Sequence, residues 1–179
     1  NIGPNRDDMP AFTQARWIPA RPSGDAATLL ALAHAIETRG RVDREFLTSH
    51  AVGYDAFRAY ILGESDGVPK DLAWASPLCG ISIPDLEWLA DKLIRARRPL
   101  ITLSLAIQRA EHGEQPYWLG VVLAAMLGVL GLPGGGIGLG WGNNGRGVYN
   151  RGGVPFKWGT FPQGRNPIKT TIPVARITE

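Results

Sequence analysis

The 179-residue chain is 44% hydrophobic and 20% charged, which gives one ordinary domain enough apolar material for a core. Its formal net charge of +3 comes from Lys and Arg that are scattered rather than blocked, which argues against duplex nucleic acid and suits a small anionic ligand. The single cysteine, Cys79, excludes an internal disulfide and a cysteine-only metal site, and no stretch reaches the roughly 20 apolar residues of a membrane span.

In chain order, residues 17–22 are expected to be extended, because Pro19 and Pro22 each disfavour helix in the residue before them. Ser23, Gly24 and Asp25 then lead into a helix over about 26–38. Its Leu29, Leu32, Ala33 and Ile36 recur at i, i+3, i+4 and i+7, forming one buried stripe, and Gly40 closes it. Short helices are expected over 43–49, 55–62 and 70–75. Ser82 stands as an N-cap, with Pro84 in the first turn and Asp85 at the capping-box position. That helix runs to about Arg97, burying Leu86, Leu89, Ala90 and Leu93. Pro99 stops it. Leu100 to Ile107 reads as a strand, and Glu114 to Leu130 as a long apolar helix.

This order predicts an α/β fold, with a Rossmann-like parallel sheet and flanking helices. The composition then changes: eleven glycines fall among the 23 residues from Gly131 to Gly153, and the tail to Glu179 is rich in proline and basic residues. Residues 1–132 are therefore assigned to the α/β domain. Residues 133–179 are assigned to an irregular extension that packs on further structure.

Two polar groups at predicted strand ends draw attention, since open α/β sheets bind ligands beyond the carboxyl ends of their strands. The apolar run from Leu100 enters Gln108, Arg109, Glu111 and His112. Arg109 offers a planar fork of donors suited to phosphate, and the helix after Gly113 aims its first amides the same way. The bland alternative is a solvated loop. At Ser23, Gly24 and Asp25, Ser23 either caps the following helix, with Asp25 complementing its dipole, or the aspartate accepts two adjacent N–H donors from a guanine edge.

Other motifs carry less. Gly140, Gly142 and Gly145 fit G-x-G-x-x-G formally, but "RGVYNRGG" after them makes no helix, so a dinucleotide fingerprint is rejected. His34, His50 and His112 lack metal-ligand spacing, and no nucleophile–base pair can be argued. The six tryptophans are scattered as packing would leave them.

The stretch "QRAEHGEQPYWLGVVLAAMLGVLGLPGGGIGLGWG" resembles the DMSO, trimethylamine N-oxide and biotin sulfoxide reductases, a family of molybdenum enzymes. "WIPARPSGDAATLLALAHAI", "YILGESDGVPK" and "PQGRNP" extend the resemblance over nearly the whole chain. It implies an interior segment of a larger, multidomain bacterial enzyme, periplasmic in setting. That enzyme would hold molybdenum between two molybdopterin guanine dinucleotides, bis(molybdopterin guanine dinucleotide), and reduce S-oxides or N-oxides by oxygen-atom transfer. Its electron donor is not implied.

By the same resemblance Ser23, Gly24 and Asp25 contact the guanosine end of one dinucleotide. The family's Trp-Ser-Leu-Gln-Arg run, near the pterin and pyrophosphate, falls on Leu105, Ala106, Ile107, Gln108 and Arg109. Gln108 and Arg109 match; Leu105 and Ala106 replace Trp and Ser, which opens a related molybdoenzyme with another substrate as a further reading. The metal's protein ligand has no counterpart here, so no catalytic residue is assigned. A non-catalytic α/β nucleotide-binding or structural module is the alternative.

Overall fold

The computed structural model describes residues 1–4, 6 and 11–139, apart from the side chains of Leu105 and Leu139. The glycine motif at Gly140, Gly142 and Gly145 and the "PQGRNP" stretch lie outside them.

Helix α1 (Asp25–Thr38) is the structural axis, because it is buried on two faces. The expected stripe is one of them: Leu29, Leu32, Ala33 and Ile36 pack with Ile61, Leu119, Leu123 and Met126. The second face is made of small residues. Ala27 and Ala31 meet Leu72, Ala75 and Cys79, together with Ile18, Ile81 and Leu86. Alanines at i and i+4 let two helix backbones approach, which a single apolar stripe does not reveal. Each fully buried Ile or Leu stabilises by about 1.5–3 kcal/mol relative to exposure.

Around α1 lie α2 (Arg44–His50), α3 (Tyr54–Ile61), α4 (Leu72–Cys79), α5 (Ile83–Arg95) and α6 (Glu114–Met126). The Asp43 carboxylate accepts from the Phe46 amide and Asp71 accepts from Trp74, so aspartate caps start α2 and α4. Ser82 caps α5 by accepting from the Asp85 amide at 3.3 Å, as the sequence indicates.

At the far end of α1, Glu37 is buried and holds three helices together. Its carboxylate accepts from Arg44 Nη2 at 2.5 Å, Arg58 Nε at 2.9 Å and the Tyr54 hydroxyl at 2.6 Å. Arg39 pairs with Glu87 and Asp91, tying α1 to α5.

The strands β1 (Ile2–Gly3) and β2 (Ile18–Pro19) pair in parallel, as do β3 (Leu100–Leu103) and β4 (Gly136–Leu139). The described fold is thus α/β, with two separate two-stranded parallel sheets among the described residues rather than one continuous sheet. β4 forms inside the glycine-rich region expected to be irregular, in register Leu100↔Gly136 to Leu103↔Leu139. Helix α6 lies on this pair through Gly120, where a Cβ would stand 2.7 Å from Leu103 Cδ1 and 3.0 Å from Ile137 Cδ1. A larger residue there would have to push these side-chain tips aside.

The strand expected to reach Ile107 ends at Leu103. Ser104 turns the chain, its Oγ accepting from the Ala106 amide at 3.4 Å, and a 3₁₀ turn follows over Leu105–Gln108. A serine that satisfies the next free amide competes with the ladder, which shortens the strand. Among the described residues no helix is long and apolar enough to cross a membrane.

Candidate functional site

The chain enters α1 through a tight turn. Ser23 adopts φ +65°, the left-handed region that L residues occupy at a cost of about 1–2 kcal/mol. Gly24, not Ser23, is the N-cap, and no side chain caps the helix. The capping account of Ser23 is therefore replaced: its side chain is exposed and bonds to no other described residue. Gly24 is buried because the turn is pressed onto the end of α4, where the Arg21 amide donates to the Cys79 carbonyl at 2.7 Å.

Asp25 follows as the first helical residue, half-buried. Burial raises its pKa above the usual carboxylate value, offset in part by its own backbone N–H. Among the described residues no other group donates to this carboxylate. A partly desolvated acceptor with no protein donor is suited to a ligand that brings N–H groups.

The second junction follows β3. Ala106, Gln108 and Arg109 are exposed, and Arg109 makes no side-chain hydrogen bond or ion pair among the described residues. The Tyr117 hydroxyl donates to the Ser104 carbonyl at 2.7 Å, fixing the 3₁₀ turn against α6. Gly113 sits under it: a Cβ there would lie 2.5 Å from the Gln108 carbonyl oxygen. His112 bridges to α6 in a left-handed conformation, φ +55°. It stands 3.9 Å from both Glu111 and Glu114 and is charged only when protonated. The Glu114 carboxyl is held below its usual range, chiefly by its own backbone N–H and by Gln115.

These two junctions open at the same end of the helix layer. Ala26 and Leu30 of α1 line one hollow of about 510 Å³ with Gln115 and Leu119 of α6. At the opposite end the Asp43 amide, just beyond α1, donates to the Met126 carbonyl at the end of α6. Helices α1 and α6 therefore run side by side in the same sense, each entered from a parallel strand. No hydrogen bond or ion pair joins Ser23, Gly24 or Asp25 to Ala106, Gln108 or Arg109.

Among the described residues the arrangement offers a lone carboxylate in the first turn of α1 and a lone guanidinium in the turn between β3 and α6. The expected α6 amides are not free, since the Glu114 N–H faces its own carboxylate, the Gln115 amide donates to the His112 carbonyl at 3.0 Å and Pro116 has none. The two charged groups fit a long ligand with a hydrogen-bond-donating base at one end and anionic groups along its length. The sequence reading missed Gln115 and Trp118, which face the hollow. Trp118 is 67% exposed, which nothing in the pattern of the surrounding apolar helix signals.

No family model matches the chain. It is 44% identical to the biotin sulfoxide reductase of Cereibacter sphaeroides over 99% of its own length and 24% of that protein. It is 41% identical to trimethylamine-N-oxide reductase 1 of Escherichia coli K12, covering 92% of the chain and 20% of the relative. The trimethylamine-N-oxide reductase of Haemophilus influenzae is 34% identical over 99% of the chain and 22% of the relative. The chain thus spans about a fifth to a quarter of the curated relatives it matches. Among solved structures, acetylene hydratase from Pelobacter acetylenicus matches 74% of this chain and 17% of that one, with a TM-score of 0.65 and 17% identity, a likeness of fold.

Proposed function

Because the chain belongs, as a segment, to the family of the biotin sulfoxide and trimethylamine-N-oxide reductases, we propose that it holds one molybdopterin guanine dinucleotide of a molybdenum-dependent S-/N-oxide reductase. The observation that supports this is that Asp25 opens α1 and Arg109 stands in the turn leading to α6, two charged side chains without a partner among the described residues, on helices that run in the same sense.

The Asp25 carboxylate accepts the two adjacent N–H donors of the guanine edge, with the left-handed turn at Ser23 and Gly24 bringing backbone close to the base. Each carboxylate–N–H bond in such a site contributes about 1.5–3 kcal/mol. Arg109 binds phosphate oxygens of the pyrophosphate, and Gln108 hydrogen-bonds a pterin edge. Leu105 and Ala106 line the pterin side through their backbone. When bound, the molybdenum cofactor supplies two-electron oxygen-atom transfer from the oxide. The net change is R₂S=O + 2e⁻ + 2H⁺ → R₂S + H₂O, or the amine analogue, with electrons from a donor outside this chain. The parallel strand–helix units, a Rossmann-like arrangement, and a periplasmic setting belong to the same proposal.

Metal and pterin analysis of the full-length protein tests it. Molybdenum or tungsten with pterin, and guanosine monophosphate released on hydrolysis, is the expected result. Absence of both metal and pterin ends the proposal. Asp25→Asn and Arg109→Ala are expected to lower cofactor retention while the fold survives.

A further inference from the structure

The hollow between α1, α3 and α6 is an open surface lined without a single charged side chain. Leu30, Phe57, Tyr60, Trp118 and Val122 face it, and Val52 at the α2–α3 link is fully exposed beside them. One exposed apolar residue means nothing, but several converging on one concavity mark an interaction surface. Depletion of charged side chains is what the buried core of a protein interface shows.

We infer that this groove is the seat of a polypeptide segment from the same chain's full-length protein, outside residues 1–179. Two observations choose that occupant. The matched stretch is 24% of the biotin sulfoxide reductase relative, so most of such a protein lies elsewhere in sequence. The lining also runs along α6 from Gln115 to Ala125 and reaches Ala26, so a segment seated in it extends to the residue after Asp25. The choice of occupant rests on the proposed function in this respect, because a bound cofactor at that end needs enclosing polypeptide. The seated segment is apolar and packs against Trp118, as a helix laid in a groove does.

The test uses full-length protein with a photo-crosslinking benzoylphenylalanine at Val52, which lines the groove with no covering residue among those described and so lies within reach of whatever seats there. The expected product has monomer mass, and its joined peptide lies outside residues 1–179. A dimer-sized product, a joined foreign protein, a peptide from within 1–179, or photolysis without crosslinking each overturns the inference. Trp118→Asp supplies a second readout: the full-length unfolding midpoint should fall by roughly 3 °C or more, and an unmoved midpoint counts against burial. Metal and pterin are measured on the same samples. A self-crosslinked protein lacking both fails only the proposed function, whereas a loaded enzyme with an open groove fails only this inference.

Discussion

Gly24 and Cys79 meet so closely that no side chain fits between them: a Cβ on Gly24 would stand 2.6 Å from the Cys79 Cα. The C-terminal end of α4 thereby fixes where α1 begins and holds Ser23 in its left-handed conformation. The obstacle is backbone rather than the tip of a flexible side chain. Gly24→Ala is therefore expected to destabilise the protein by about 1–3 kcal/mol, the usual cost of overpacking. It should also lower cofactor retention, since the turn must move. Chemical denaturation reads the first effect, and an unchanged midpoint would show that α4 yields freely.

Asp25 gives a pH-dependent prediction of definite sign. Burial raises its pKa in the folded chain, so the folded state binds its proton more tightly than the unfolded state does. Ionised Asp25 then opposes folding above that raised pKa and is neutral to it below the ordinary carboxylate value. In cofactor-free protein, Asp25→Asn should stabilise at pH 7 by about 0.5 kcal/mol, a small figure because the half-exposed carboxylate is solvent-screened. The advantage should shrink toward pH 4. Cofactor retention should change in the opposite direction, because the amide turns a donor toward the donors of guanine. An advantage that stays constant with pH would remove desolvation as its cause.

Much of this was legible in the sequence where the signal is local. The Ser82 cap, the apolar stripe Leu29–Leu32–Ala33–Ile36 and the extended prolines around β2 each depend on neighbours within a turn or two. The shortfalls have one physical source, contacts made far along the chain. Ala27 and Ala31 read as filler until α4 lies against them. Gly136 and Gly138 read as loop until β3 supplies the partners that make a strand of them. Ser23 looked like a cap because its residue type fits, but Cys79, 56 positions on, shifts the cap to Gly24. At the candidate site, Asp25 and Arg109 stand out by residue type and by their place after extended segments, whereas the parallel run of α1 and α6 depends on the long-range bond from the Asp43 amide to the Met126 carbonyl.

Glu37 makes stability depend on pH in the opposite sense to Asp25. Burial raises its pKa, but hydrogen bonds from Tyr54, Arg44 and Arg58 outweigh that and hold it below the ordinary glutamate value. Its stabilisation is present above the unfolded pKa and is lost as pH falls through the depressed folded one. The same contact, after burial, pushes the Tyr54 phenol well above its usual range. Glu37→Ala is expected to cost about 2 kcal/mol at pH 7, because Arg44 and Arg58 are exposed enough to regain water. Glu37 lies at the other end of α1 from Asp25, roughly 20 Å along the helix. Cofactor content of the folded variant should therefore be unchanged. A double-mutant cycle with Arg58→Ala measures the coupling, and additivity would show that the pair does not interact.

Leu105 and Ala106 carry the last prediction, on substrate choice. By the sequence resemblance the related reductases carry Trp and Ser there, an indole N–H and a hydroxyl that can donate to an oxide oxygen. This chain offers two apolar side chains at those positions, separated from Gln108 and Arg109 by Ile107. Ala106 is exposed at the β3 exit, and its amide is engaged by Ser104, so the backbone is held whichever side chain it bears. The double change Leu105→Trp with Ala106→Ser in the full-length enzyme should then leave cofactor content intact. It should shift the kcat/KM ratio between an S-oxide and an N-oxide by about tenfold, or about 1.4 kcal/mol, the scale of one hydrogen bond made or lost in the transition state. Parallel steady-state assays on the two oxides decide it. A ratio that stays put, with cofactor fully loaded, would mean that these side chains do not face the reacting oxide and that selectivity is set by residues elsewhere in the enzyme.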